Sequence, residues 1–249
     1  MKIWRRVLVG VLILVLASIT AFVVWGLTPA PAMPAALPAL ASGDNVEVTV
    51  ARWIVFEARE SALDTGLILY PGGRVDPHAY APAARAIAEH GYRVVIVPMP
   101  LNLAVFGAKR ATEVMQAFPQ TTIWAIGGHS LGGAMSALFA DENRRVVRGL
   151  VLWAAYPAES NDLSQADLRV LSVYGTRDGL ATRKKIDASR ALLPPDTEWV
   201  AIEGGNHAQF GWYGEQSGDL PAAVPREVQQ AQIIEATLRL LEAIQRHGS

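Results

Sequence analysis

From residue 67 onward short apolar runs ending in turns alternate with stretches that have helical features. The runs 67–70, 93–97, 122–126, 150–154, 170–174 and 198–202 predict strands, apolar or β-branched and mostly bounded by turn residues. The stretches 104–118, 130–141 and 182–193 predict helices. Another helix is predicted after Asp76-Pro77, an N-cap followed by proline, running to about residue 90 and stopping at Gly91. One or two opening strands over 46–56 and a long amphipathic helix over 228–245 complete the pattern. Such alternation admits few architectures. It predicts an α/β fold, a mostly parallel central sheet flanked by helices. In such sheets ligands bind beyond the carboxyl ends of the strands, so functional residues are expected just after strands.

Gly128-His129-Ser130-Leu131-Gly132 fits G-x-S-x-G, between the strand ending at Ile126 and the helix that follows. In that context the motif has a mechanism: the turn is so sharp that only small residues fit two before and two after the serine. The serine oxygen then sits at a helix N-terminus, where unpaired N–H groups favour developing negative charge. Ser130 is therefore the candidate nucleophile, and the His129 side chain is expected to point away from it into the sheet–helix packing. Partners of such a serine follow in the order Asp or Glu, then His. Of the two later histidines, His247 is third from the end and His207 lies in Gly204-Gly205-Asn206-His207, directly after a strand. The candidate base is His207. Asp178, in Gly175-Thr176-Arg177-Asp178-Gly179 after strand 170–174, is the candidate acid; Asp162 and Asp167 precede that strand and Asp187 falls inside a predicted helix. The catalytic set is thus Ser130, Asp178 and His207. Backbone N–H groups for an oxyanion are expected from Leu131 and from the loop Pro71-Gly72-Gly73-Arg74, where Gly73 and Arg74 both qualify.

The strand–GHSLGG–helix unit, GTRDG and GGNHAQFGWYG resemble the α/β-hydrolase superfamily. YPGGRVDPHAYAP, VPMPLNLAVFG and the histidine loop resemble its fold-5 group, whose relatives include dienelactone hydrolases. The resemblance covers roughly residues 45 to 245 and implies the α/β-hydrolase fold and the Ser-Asp-His triad. Members of the group are often bacterial and either membrane-anchored or secreted. Two departures stand out. Dienelactone hydrolases carry cysteine where this chain has Ser130, and many relatives open the oxyanion loop with His-Gly where this chain has Pro71-Gly72. Larger members insert a lid before the acid; here about fifteen residues separate Ala154 from Val170, so no large cap domain is expected and the site should be shallow. The segment 99–106 and Phe210, Trp212 and Tyr213 are candidates for its rim.

The resemblance implies a serine hydrolase, carboxylesterase- or thioesterase-like, acting on small-molecule esters or related acyl bonds through an acyl-enzyme. An envelope acyltransferase with the same triad and an anchored non-catalytic binding domain are the alternatives. This chemistry needs no cofactor. The sequence has no H-E-x-x-H, no G-x-x-x-x-G-K-[ST] and no cysteine, so neither a metal nor a nucleotide is expected. A net charge of −1 gives no reason to expect nucleic acid as a partner.

The first forty residues are of another kind. Lys2, Arg5 and Arg6 precede an uncharged run of 21 residues, 7–27, with Trp4 and Trp25 at its ends. That run suffices to cross a hydrocarbon core of about 30 Å. The basic flank predicts a cytoplasmic N-terminus with the bulk of the chain outside. The sequence therefore predicts a single-pass membrane anchor over 1–27, a Pro/Ala-rich tether over 28–44 with polyproline-II character, and a domain over 45–249. A cleaved leader, with Ala30-Pro31-Ala32 or Ala39-Leu40-Ala41 as its processing site, would leave a secreted protein instead.

Overall fold

The computed structural model describes residues 2–60 and 64–248. Among these, eight strands form one sheet: β1 (Val46–Val50), β2 (Ile54–Ala58), β3 (Thr65–Tyr70), β4 (Arg93–Ile96), β5 (Ile123–His129), β6 (Val147–Trp153), β7 (Arg169–Gly175) and β8 (Glu198–Ile202). The spatial order is β1-β2-β4-β3-β5-β6-β7-β8. The opening hairpin and the β2–β4 pair are antiparallel, and every pair from β4 to β8 is parallel. The helices are α1 (Lys2–Leu27), α2 (Ala81–Ala88), α3 (Arg110–Ala117), α4 (Leu131–Glu142), α5 (Arg183–Ser189) and α6 (Arg226–Gly248).

Strands β3, β4 and β5 are buried along their whole length. Parallel strands covered on both faces read as continuous apolar runs for this reason. Their side chains divide by the two-residue period of a strand. Leu67, Leu69, Val94 and Ile96 pack with Ile87 of α2 and Ile233 and Leu241 of α6. Ile68, Tyr70, Val95 and Ile126 pack on the other face with Val114 of α3 and Phe139 of α4. The six parallel strands all end on one side of this sandwich, and the candidate residues lie there.

Two stretches differ from the sequence expectation. The helix expected over 104–118 is a single 3-10 turn, Ala104–Phe106, and then α3. The Tyr70 side chain intervenes: its hydroxyl donates to the Ala108 carbonyl at 2.8 Å and accepts from the Ala111 N–H at 2.8 Å. The Pro/Ala-rich stretch is no free tether. It forms a 3-10 helix, Pro34–Leu40, whose Ala36 is fully buried. Arg85 of α2 holds it from below through the carbonyls of Ala39 and Ala41. Ala30 bridges to Val75 and Ala32 to Tyr213. Composition predicts the backbone preference of such a stretch, but these contacts come from residues more than forty positions away.

Helix α1 is long and apolar enough to cross a membrane over Ile3–Leu27, and its most apolar stretch is not buried by the rest of the protein. At 1.5 Å per residue it is about 37 Å long, against a core of about 30 Å.

Candidate active site

Strand β5 ends at His129 and α4 begins at Leu131, so Ser130 alone makes the turn. It does so at φ 52°, ψ −121°, a conformation that costs a non-glycine residue of order 1–3 kcal/mol. The Ser130 N–H donates to the Trp153 carbonyl at 2.9 Å, and the Ser130 carbonyl accepts from Ala134 at 3.0 Å. These bonds tie the strained residue to β6 on one side and to the first turn of α4 on the other. The flanking glycines are required by space. A Cβ on Gly128 would lie 2.5 Å from the Gly132 carbonyl carbon and 2.6 Å from the Tyr70 oxygen. One on Gly132 would lie 2.2 Å from the Tyr70 oxygen and 2.4 Å from that of Pro71. Helix α4 is thus seated directly on the end of β3.

His207 follows β8 and its side chain is buried beside that of Asp178, which follows β7. Its Nδ1 lies 2.8 Å from Asp178 Oδ2. The other carboxylate oxygen accepts from the N–H groups of Leu180 and Ala181 at 2.8 and 2.7 Å. Three donors therefore fix the Asp178 carboxylate, and Asp178 fixes the imidazole. His207 Nε2 is buried and takes no hydrogen-bond partner among the described residues. His207 and Ser130 line one cavity of about 270 Å³ with Leu131, Ala154, Tyr156 and Leu180. They are not directly hydrogen-bonded here; such bonds often tighten only when substrate is present. A larger cavity of about 490 Å³, lined by Arg148, Asp167, Arg169 and Asp196, lies at the amino ends of β6 and β7, away from these groups.

The loop after β3 completes the site. The Arg74 N–H donates to the Asn102 carbonyl at 2.7 Å, and the Gly72 N–H to the Tyr80 hydroxyl at 2.9 Å. Of the two loop residues singled out in the sequence, Arg74 therefore has its N–H occupied. Gly73 has no hydrogen bond to its N–H among the described residues. It adjoins the nucleophile's neighbour, since a Cβ there would lie 3.1 Å from Leu131 Cδ2. The structure thus gathers Ser130, Leu131, Gly73, His207 and Asp178 in one place and turns Arg74 away from it.

The sequence profile of the alpha/beta hydrolase family matches residues 66–231. The chain belongs to the α/β-hydrolase family. A search of curated proteins finds no match. Among solved structures, this hydrolase is similar to a thermophilic esterase from the planctomycete Thermogutta terrifontis, at 13% identity and TM-score 0.56 over 78% of this chain and 91% of that one. It is similar to carboxylesterase CesB from Bacillus subtilis, at 11% identity and TM-score 0.53 over 70% and 88%. It is also similar to a dienelactone hydrolase-like promiscuous phosphotriesterase from metagenomic libraries, at 16% identity and TM-score 0.57 over 77% and 92%. At these identities the likeness is one of fold.

Several supporting residues of the hydrolase carry no signal in the sequence. Asp219 accepts from Gly179 at 3.0 Å with one oxygen and from Ala208 at 2.9 Å with the other, joining the acid loop to the histidine loop. Gln229 of α6 is paired with the backbone of Asn206 in both directions, at 3.0 and 2.8 Å. Phe210 and Tyr213, both candidates for the rim, are buried against the ring of His129, with centroids at 5.7 and 6.1 Å, and only Tyr213 borders a cavity beside Gly73. His129 is fully buried, as its position before the serine suggests, and its ring lies 4.5 Å from that of His207. The Tyr80 hydroxyl lies 2.9 Å from its Nδ1. With the Gly72 N–H donated to the same oxygen, one chain of contacts braces the loop after β3 against the turn at Ser130. Among the described residues no cluster of His, Cys, Asp or Glu has a metal-holding arrangement.

Burial holds the His129 imidazole well below the usual histidine range; the nearby His207 pushes the same way, and the His207 backbone carbonyl opposes. The ring is therefore neutral when folded and gains a proton on unfolding, where its ordinary value is about 6.5. Below that pH the unfolded chain binds more protons, so stability falls as pH drops, by up to about 1.4 kcal/mol per pH unit. The melting temperature of the parent is expected to fall more steeply between pH 7 and pH 5 than that of His129→Gln. Equal slopes would place the responsible group elsewhere. Gly132→Ala, which drives a methyl into two backbone oxygens of the β3 end, is expected to cost about 3 kcal/mol or more, measured by denaturant midpoint.

Proposed function

We propose that the chain is a membrane-anchored serine hydrolase, cleaving carboxylic esters or related acyl bonds on the outer side of the cytoplasmic membrane. The observation that carries this reading is the Asp178–His207 pair beside Ser130, with Nδ1 taken by the carboxylate and Nε2 left without a partner in the serine's own cavity. With the proton held on Nδ1, Nε2 is the nitrogen able to accept the Ser130 hydroxyl proton.

Ser130 Oγ attacks the substrate carbonyl while His207 Nε2 takes its proton. The negative charge that develops on the carbonyl oxygen is met by the N–H groups of Leu131 and Gly73. Each such donor is typically worth about 2.7–4 kcal/mol of transition-state stabilisation. His207 then returns the proton to the departing alkoxide, leaving an acyl-serine. A water molecule, deprotonated by the same imidazole, releases the acid and restores the hydroxyl. The strained Ser130 backbone gives the oxygen its fixed aim, since the surrounding contacts leave it no relaxed alternative.

Retention of α1 is supported by how it joins the domain. Arg74 donates to the Trp25 and Thr28 carbonyls at 2.9 and 2.6 Å, and Asn102 donates to the Gly26 carbonyl at 2.9 Å. Processing after Ala32 or Ala41 would strip these partners from a residue adjacent to the oxyanion loop. The basic residues ahead of α1 favour a cytoplasmic N-terminus.

The full chain, reconstituted in phospholipid vesicles, is expected to react with a fluorophosphonate probe. Labelling should vanish in Ser130→Ala and drop sharply in His207→Ala. An unlabelled, well-folded parent would overturn the hydrolase reading. Asp178→Asn is expected to keep the parent's melting temperature within a few degrees, because its amide oxygen can still accept from Leu180 and Ala181. Its amide nitrogen would face His207 Nδ1 and force the wrong tautomer, so turnover of a soluble ester should fall about 10⁴-fold. Near-parental turnover would place the acid at another residue.

A further inference from the structure

The end of α1 and the catalytic loop are one piece of structure. The last carbonyls of a helix lack intrahelical partners. Here Thr28 accounts for that of Val24, Arg74 for that of Trp25 and Asn102 for that of Gly26. The Arg74 guanidinium also lies over the Trp25 ring, 4.3 Å from its centroid. It supplies the positive charge that a helix C-terminus favours and that the last turn of α1 itself lacks. Gly26 is buried against Leu101, where a Cβ would lie 2.9 Å from Leu101 Cβ. Arg74 and Asn102 are joined by a backbone hydrogen bond, and both hold positive φ, 55° and 53°.

This junction decides how far the site stands from the membrane. Fully extended, the seventeen residues from 28 to 44 reach roughly 55–60 Å, enough to float the domain clear of the bilayer. Instead they fold back along it, and Gly73 is the immediate neighbour of the residue that caps α1. With α1 across the bilayer, as the proposed function has it, the loop carrying Gly73 stands at the level where the apolar core gives way to headgroups.

A row of apolar side chains runs from that level toward the loop beside the serine. Phe106, 53% exposed, meets Phe22 of α1 edge-on at 6.4 Å between centroids. Phe22 lies more than a turn inside the apolar helix, so Phe106 and the exposed Val105 beside it sit at membrane depth. Two residues on, Leu103 approaches Gly73, where a Cβ would lie 3.7 Å from Leu103 Cδ2 and 3.1 Å from Leu131 Cδ2. Leu131 adjoins Ser130. A cavity of about 520 Å³ opens between the end of α1 and this loop, lined by Trp25, Gly73, Leu103 and Tyr213 with Arg74 and Glu215 on its polar side; Leu131, at Gly73, lines the separate cavity that holds Ser130.

We propose that the substrate is a long-chain acyl ester lying in the outer leaflet of the membrane that holds the enzyme. Its chain passes along Phe106, Val105 and Leu103, and its ester carbonyl is delivered at headgroup level to Ser130. The inference rests on the serine hydrolase reading and narrows it from esters in general to esters presented by the bilayer.

The test uses the full chain in phosphatidylcholine vesicles with two substrates of one fluorogenic alcohol, a water-soluble butyrate and a membrane-dissolved oleate. The oleate is placed either in the enzyme's own vesicles or in a separate population. Oleate in the same vesicles is expected to turn over at least tenfold faster than oleate in separate ones. Val105→Asp/Phe106→Asp, which alters only exposed side chains outside the catalytic set, is expected to lower turnover of same-vesicle oleate at least tenfold. The ratio of oleate to butyrate turnover should fall at least fivefold, and Val105→Leu/Phe106→Leu should restore that ratio. Equal rates from the two vesicle populations, oleate turnover unaffected by the aspartates, or butyrate cleavage with no oleate cleavage would each overturn the inference while leaving the hydrolase reading standing. Failure to cleave either ester, together with no fluorophosphonate labelling, would overturn both.

Discussion

The geometry of the site depends on one close approach, that of the first turn of α4 to the carboxyl end of β3. The Gly132 backbone lies so near the Tyr70 and Pro71 oxygens that no side chain fits between them. This contact sets the angle at which the chain leaves β5, and with it the strained conformation of Ser130. It also sets the distance between the N-terminus of α4 and the loop carrying Gly73. Ser130 and the N–H groups of Leu131 and Gly73, the proposed nucleophile and oxyanion donors, are therefore positioned by a single backbone packing event rather than by several independent side-chain choices. Interiors packed this tightly hold such strain because they have no slack in which to relax it.

Around that contact the fold sets a second tier of polar braces. Asp178 orients His207, Asp219 ties their two loops together, Gln229 secures the backbone of Asn206 from α6, and Tyr80 joins the oxyanion loop to His129. In four of these six hydrogen bonds a side chain answers a backbone group. A loop that must expose its functional atoms cannot satisfy its own N–H and C=O groups in a ladder, so side chains from neighbouring elements satisfy them instead.

The sequence made the α/β alternation legible because parallel strands buried on both faces leave uninterrupted apolar runs, as in β3, β4 and β5. It made Ser130, His207 and Asp178 stand out as candidates because each follows such a run in a glycine-rich turn. Where it fell short, the determining contact was distant in sequence. The expected helix over 104–118 is divided by Tyr70, some forty positions earlier, and the supposed tether is held down by Arg74 and Arg85. Gly73 and Arg74 look alike in the sequence as donors. Only the Asn102 carbonyl, nearly thirty residues on, separates them. Phe210 and Tyr213 illustrate the same limit: aromatic residues beside a catalytic histidine can line a site or support it from behind, and composition does not distinguish the two.

If α1 spans a bilayer as proposed above, its capped end has a consequence for how the molecule searches. A domain on a loose tether tumbles, and its active site samples a hemisphere of water above the bilayer. Three carbonyls held by the domain or its adjoining turn, with an indole under a guanidinium, remove that tumbling. What remains is lateral diffusion and rotation about the membrane normal. The entrance to the serine then sweeps a plane at one fixed depth, and its encounters are governed by the surface density of whatever floats at that depth rather than by concentration in solution.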